Sequence, residues 1–181
     1  MRLHAFANSS SFPILRVLGH AIADVSVKYH ELSEQYDIYS DWAIGHSGIV
    51  IHDRMSGPTI DALYTKLEAW ESAGMLLPFG TSTETDTDIH SEPGAIAGIS
   101  VILPNRYYKF KQGSLKDLSL PAEDLDLPAF VAESTTDGIL NTSTWTDEQK
   151  SEFTKAFRKC GYLSWEIELM LEIYSYPLIE E

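Results

Sequence analysis

The sequence predicts a single α+β domain over residues 1–181. Its sheet is mainly antiparallel, built from two hairpins and a long C-terminal strand, with about three helices packed on one sheet face. Three observations predict this. Residues 163–173 place apolar side chains at every second position, the period of a strand with one wet face. Apolar runs around residues 42–51 and 95–111 break at turn-forming residues and resume, as hairpins do. Between them lie stretches with apolar residues three and four apart, bounded by capping and stop residues.

The first helix is expected over residues 12–33, where Ile14, Leu15, Leu18, Ile22, Val25 and Tyr29 fall on one helical face. Ser11 can cap it and Pro13 suits its first turn. Asp24 and Lys28 form an i,i+4 pair on the polar side. Val17, Val25 and Val27 favour strand, so a strand over residues 24–29 is the competing reading.

Next comes "YDIYSDWAIGHSGIVIHD". With Gly45 to Gly48 as the loop, Ile44 faces Ile49, Ala43 faces Val50 and Trp42 faces Ile51, which puts Trp42, Ile44, Ile49 and Ile51 on one side. Gly-His-Ser-Gly looks like the turn on which serine hydrolases carry a nucleophile. That turn needs Gly-x-Ser-x-Gly and a following helix. Here the second glycine comes one place early, at Gly48, and a β-branched run follows from Ile49. Ser47 therefore reads as a turn residue.

The second helix opens at Ser56 or Gly57, has Pro58 in its first turn and Asp61 near its positive end, and carries Ile60, Leu63, Leu67 and Trp70 as a core stripe. Gly74 stops it. Residues 80–94 hold Glu84, Asp86, Asp88 and Glu92 with no Lys or Arg, the composition of an exposed, mobile loop. "AIAGISVIL" reads as a buried strand, Pro104-Asn105 as its turn and "RYYKFK" as the returning strand. A segment with Pro121 and Pro128 then crosses the surface, acidic through Asp117, Glu123, Asp124, Asp126, Glu133 and Asp137.

The third helix has a capping box at Thr146 and Gln149. Phe153, Ala156, Phe157 and Cys160 form its inner face, Lys155, Arg158 and Lys159 suit its negative end, and Gly161 ends it. In the tail, Leu163, Trp165, Ile167, Leu169, Leu171 and Ile173 alternate with Ser164, Glu166, Glu168, Met170 and Glu172, the pattern of the final strand.

Charge is the strongest global signal: 27 acidic against 13 basic side chains, a net charge of −14. Such a chain repels nucleic acid and anionic membranes and is steered toward a basic partner. Cys160 is the lone cysteine, so no intrachain disulfide forms and a reducing, cytoplasmic setting is expected. No apolar run has membrane-spanning length. Ala21-Ile22-Ala23 imitates a signal-peptide cleavage site, but Arg16 interrupts the apolar run before it, so no signal peptide is expected.

Six histidines, His4, His20, His30, His46, His52 and His90, stand in no metal-binding motif, and no metal or cofactor is expected. His20 and Asp24 share the i,i+4 spacing of a dyad, but a plain helix-surface contact is the expected reading. Arg106, Lys109 and Lys111 interleaved with Tyr107, Tyr108 and Phe110 suit single-strand stacking, but also a strand with aromatics inward and lysines outward.

Acidic surface remains. It gathers in Glu84, Asp86 and Asp88, in Glu123, Asp124 and Asp126, and on the expected sheet face of Glu166, Glu168 and Glu172 with Met170 among them. These residues are the expected contacts of a non-enzymatic inhibitory protein that neutralises a basic toxin or nucleic-acid-binding enzyme, in the manner of an immunity protein or a DNA mimic. The alternatives are an enzyme with dispersed His, Asp and Glu residues, and an assembly protein that oligomerises.

Overall fold

In a computed structural model of the 181-residue chain, the described residues are 2–9, 14–32, 48–75, 79–83, 94–103, 127–136 and 139–179. They belong to two compact units. One comprises Met1–Leu103 and Leu178–Glu181, the other Pro104–Pro177.

The first unit runs β1 (Arg2–Ala7), α1 (Ile14–Leu32), β2 (Ile49–Ile51), α2 (Gly57–Ser72), β3 (Gly80–Thr83) and β4 (Ile96–Leu103). The four strands make one sheet in the order β2-β1-β4-β3. β1 pairs with β2 in parallel, whereas β1–β4 and β3–β4 are antiparallel. The sheet is therefore mixed, not the mainly antiparallel one expected. Ile49–Ile51 does form a strand, but its ladder runs to β1, with Leu3 opposite Ile49 and Ala5 opposite Ile51. The other arm of that expected hairpin, and the returning strand at residues 106–111, lie outside the described residues.

β1 has no forecast in the sequence because both of its faces are buried. Leu3, Ala5 and Ala7 point one way, His4, Phe6 and Asn8 the other, and all six are buried. Two polar side chains on an inner face erase the alternation that marks a half-buried strand. β4 is the strand expected at residues 95–103 and is buried almost throughout.

Paired residues share a sheet face. On the first face, Leu3, Ala5, Ala7 and Ile102 form one cluster with Leu18 and Val25 of α1, and Ile14 and Ile22 pack at its margin. The helical reading of residues 14–32 thus holds over the strand alternative, although Leu15 points to solvent at 80% exposure. α1 lies very close to the sheet. A β-carbon on Gly80 would meet the Ala21 carbonyl oxygen at 2.0 Å, and one on Gly98 would meet Val17 at 2.6 Å. Gly80–Thr83 beneath it is the edge strand next to β4, where the sequence suggested the start of a mobile loop. α2 packs on β4, and with α1 across the first face it takes the second. The helices therefore cover both faces, not one. Its start is as expected: Ser56 caps it, Pro58 lies in the first turn, and Ile60, Leu63 and Leu67 are buried. Gly74 follows with φ of 68°.

The edge of β2 receives the C-terminal tail. His52 bridges Leu178 in antiparallel fashion, and the Ile179 amide donates to the Ile51 carbonyl at 3.2 Å.

The second unit contains α3 (Ala129–Glu133), the small hairpin of β5 (Thr135–Thr136) and β6 (Ile139–Leu140), α4 (Asp147–Lys159) and α5 (Ser164–Ile173). α4 follows the sequence closely. Thr146 and Gln149 form the capping box, Phe153 and Phe157 are buried, and Arg158 and Lys159 close the last turn. Its core is a row of rings: Phe130, Trp145, Phe153, Phe157 and Tyr162 succeed one another at centroid separations of 4.9, 5.3, 4.1 and 4.9 Å.

The expected final strand is the helix α5. Apolar residues at alternate positions, with Met170 between two of them, also supply helical spacings: Glu166, Met170 and Ile173 are buried, as are Ile167, Met170 and Tyr174. Local preference then decides. Leu, Met and Glu dominate the stretch and are strong helix formers, while only Ile167 and Ile173 are β-branched. Glu166 Oε2 accepts from the Leu163 amide at 2.8 Å, pinning the first turn.

Candidate functional site

Two groups of polar side chains stand out: the acidic residues of the second unit, and a buried histidine pair in the first. The acids come first, because the sequence singled them out.

With α5 in place of a strand, Glu166, Glu168, Met170 and Glu172 share no sheet face. Met170 is fully buried. Glu166 is 4% exposed and holds the helix start. Glu172 is half-buried and accepts a 2.5 Å hydrogen bond from the Tyr176 hydroxyl through Oε1. Burial, then this bond and the charge of Glu172, push the Tyr176 phenol well above its ordinary value. Of the four residues, Glu168 alone is exposed. Asp147, Glu148 and Glu152 are exposed on the first half of α4, where carboxylates also favour the positive helix end. Glu84, Asp86, Asp88, Glu123, Asp124 and Asp126 lie outside the described residues.

The parallel ladder produces the histidine pair. It sets His4 beside Val50 on β1 and β2, and His52 follows directly after β2. His4 Nδ1 and His52 Nε2 lie 2.8 Å apart, a hydrogen bond in which one ring donates and the other accepts. Their ring centroids are 5.1 Å apart. The Phe6 ring stacks on His52 at 4.2 Å with planes 16° apart. Both imidazoles are buried. His52 is also fixed by its main chain, whose amide donates to the Ala5 carbonyl at 3.0 Å. The sequence treats these histidines separately because they stand 48 residues apart. No local spacing joins them; strand register does.

Just beyond, at the carboxyl ends of β1 and β2, Asn8 is buried and donates through Nδ2 to the Ile96 carbonyl at 3.1 Å. The Ser9 amide donates to the Met55 carbonyl at 2.6 Å. Ser56 Oγ caps α2 and lies 2.6 Å from Thr59 Oγ1. These bonds tie the loop ends to the sheet.

The remaining sequence candidates fall as follows. Asp24 does not form a dyad with His20. Its Oδ2 lies 3.0 Å from Lys28 Nζ, the expected i,i+4 pair, and accepts from the Thr81 amide at 2.9 Å. His20 is exposed. His46 and Ser47 lie outside the described residues. Cys160 caps α4, half-buried, and its thiol donates to the Ala156 carbonyl at 3.1 Å. Among the described residues, no three His, Cys, Asp or Glu side chains gather as a metal site would require, and no helix is long and apolar enough to cross a membrane. No protein-family model matches the chain, and no curated protein matches it.

Proposed function

We propose that the protein is a non-enzymatic acidic binding protein that neutralises a basic partner, in the manner of an immunity protein or a DNA-mimicking inhibitor, and works in the cytoplasm. The observation that carries this reading is the charge: 27 acidic against 13 basic side chains. A surplus of that size is a long-range attractor for a basic groove and repels nucleic acid and anionic lipid. Exposed carboxylates on the second unit, Asp147, Glu148, Glu152 and Glu168, fit such a contact. Glu84, Asp86, Asp88, Glu123, Asp124 and Asp126 belong to the same acidic surplus in the sequence. Of the other expected contacts, Glu166 and Met170 are buried and Glu172 is half-buried.

The test is affinity capture from the native host with washes at about 0.05 and about 0.5 M salt, across which exposed charge pairs are progressively screened. A stoichiometric basic protein lost at the higher salt is expected. Its binding should weaken by tenfold or more when Glu148, Glu152 and Glu168 are reversed to lysine together. A partner held equally at both salts, and indifferent to those reversals, would sink the electrostatic reading.

A further inference from the structure

The buried pair His4–His52 joins β1 to the residue that follows β2, and the main chain of that residue bridges Leu178 of the C-terminal tail. We propose that it is an acid-operated clasp: protonation of the pair opens the β1–β2–tail edge of the first unit at mildly acidic pH.

The geometry permits few protonation states. With ring nitrogens 2.8 Å apart, one must carry a proton and the other a lone pair. A second added proton leaves no acceptor and sets two cations against each other. The first added proton keeps the bond but places a charge in a site with both rings buried and Phe6 stacked on one of them. Among the residues whose side chains are described, the ionisable groups there are Asp53 and Arg54 after β2, and Asp61, Tyr64, Lys66, Glu68 and Glu71 on α2, and none of these is buried. α1 lies on the opposite face, and its Asp24 and Lys28 face β3 and Phe79.

The sign follows from proton counting. In the unfolded chain both histidines take up a proton near pH 6.5. The folded pair accepts at least one fewer. Stability is therefore full above about pH 6.5 and falls as the pH drops below it, with the unfolding constant rising about tenfold per pH unit for each proton excluded. The loss starts at the clasp, because His52 carries the bonds that join this edge: its amide to Ala5, and its bridge to Leu178, next to the Ile179–Ile51 bond.

Two measurements on the full chain test this. The first compares urea unfolding of wild type with the double variant His4→Asn, His52→Gln, whose amides sit near the same nitrogens and do not titrate. Between pH 6 and pH 5 the wild-type unfolding constant should rise about tenfold more than the variant's; equal pH dependence would overturn the proposal. The second uses wild type alone and stands even if the variant folds poorly. Hydrogen exchange at pH 5.5 and 7.5, corrected for intrinsic rates, should show the His52 and Ile179 amides losing at least tenfold protection, while the Asn8 amide, bonded to Ala97 at 2.8 Å, keeps its own. Unchanged protection at His52 and Ile179, or equal loss at Asn8, would rule out a local clasp.

Discussion

Gly80 lies beneath the backbone of Ala21, so close that a β-carbon on the glycine would stand 2.0 Å from the Ala21 carbonyl oxygen and 2.6 Å from the Val25 amide nitrogen. The obstacle is main chain on a helix, which cannot swing aside as a side chain can. The contact sets the height of α1 over β3 and β4. Ser100 Oγ joins in by donating to the same Ala21 carbonyl at 2.7 Å.

Gly80→Ala should therefore destabilise the first unit by about 3 kcal/mol or more, at or beyond the upper end of overpacking costs. Urea unfolding followed by a first-unit probe measures it. A cost below about 1 kcal/mol, the lower end of that range, would mean that α1 lifts off the sheet with little resistance.

Asp24 separates a charge effect from an edge effect. Its carboxylate meets Lys28 at 3.0 Å with both side chains 37% exposed, and it accepts the outward amide of Thr81. Asp24→Asn keeps an acceptor for that amide and should cost less than about 1 kcal/mol, as exposed pairs do. Asp24→Ala strips the acceptor and should cost about 1–2 kcal/mol. Equal costs in thermal or urea unfolding would assign the whole effect to charge.

Tyr176 gives a pH signature in the alkaline range. Burial, the hydrogen bond to Glu172 and the charge of Glu172 raise its phenol. A raised acid is stabilising in its protonated form, so this contribution is complete below the unfolded phenol value of about 10 and is lost as the pH climbs above it. Ultraviolet titration should place Tyr176 among the tyrosines that ionise well after the exposed ones. Glu172→Gln should bring that step down, and an unmoved step would mean that burial acts alone.

Phe153 is the middle of the aromatic row and fully buried between Trp145 and Phe157. Phe153→Ala should cost about 3–5 kcal/mol, visible in Trp145 fluorescence and near-ultraviolet dichroism. Retention of both signals with a loss below about 2 kcal/mol would indicate that the rings close the gap.

What the sequence made legible follows from where the deciding forces lie. α4 was readable in full because a capping box and a three-four stripe are local in the chain, and the same held for α2. β1 was not readable, since His4 and Asn8 face inward and are explained by partners far along the sequence. Gly80 looked like the start of a loop because the atom that demands a glycine belongs to Ala21. In α5 two periodicities coincided, and strong helix formers with a glutamate at the first turn settled the matter. The acidic candidates were easy to name as residues. The grouping of Glu166, Glu168 and Glu172 on one sheet face rests on a two-residue period over 163–173, and the helix α5 does not have that period.

The tail on β2 bears on how the chain is made. Ribosomes deliver β1, α1 and β2 early, yet Leu178 and Ile179, which line the β2 edge, emerge roughly 75 residues after Leu103, about 4–15 s later at ~5–20 residues per second. Among the described residues nothing else pairs with the outer edge of Ile49–Ile51 in that interval, which leaves it open to another nascent strand. A holdase that shields extended segments during translation would protect the chain in that window, and slow codons beyond position 103 would prolong the exposure.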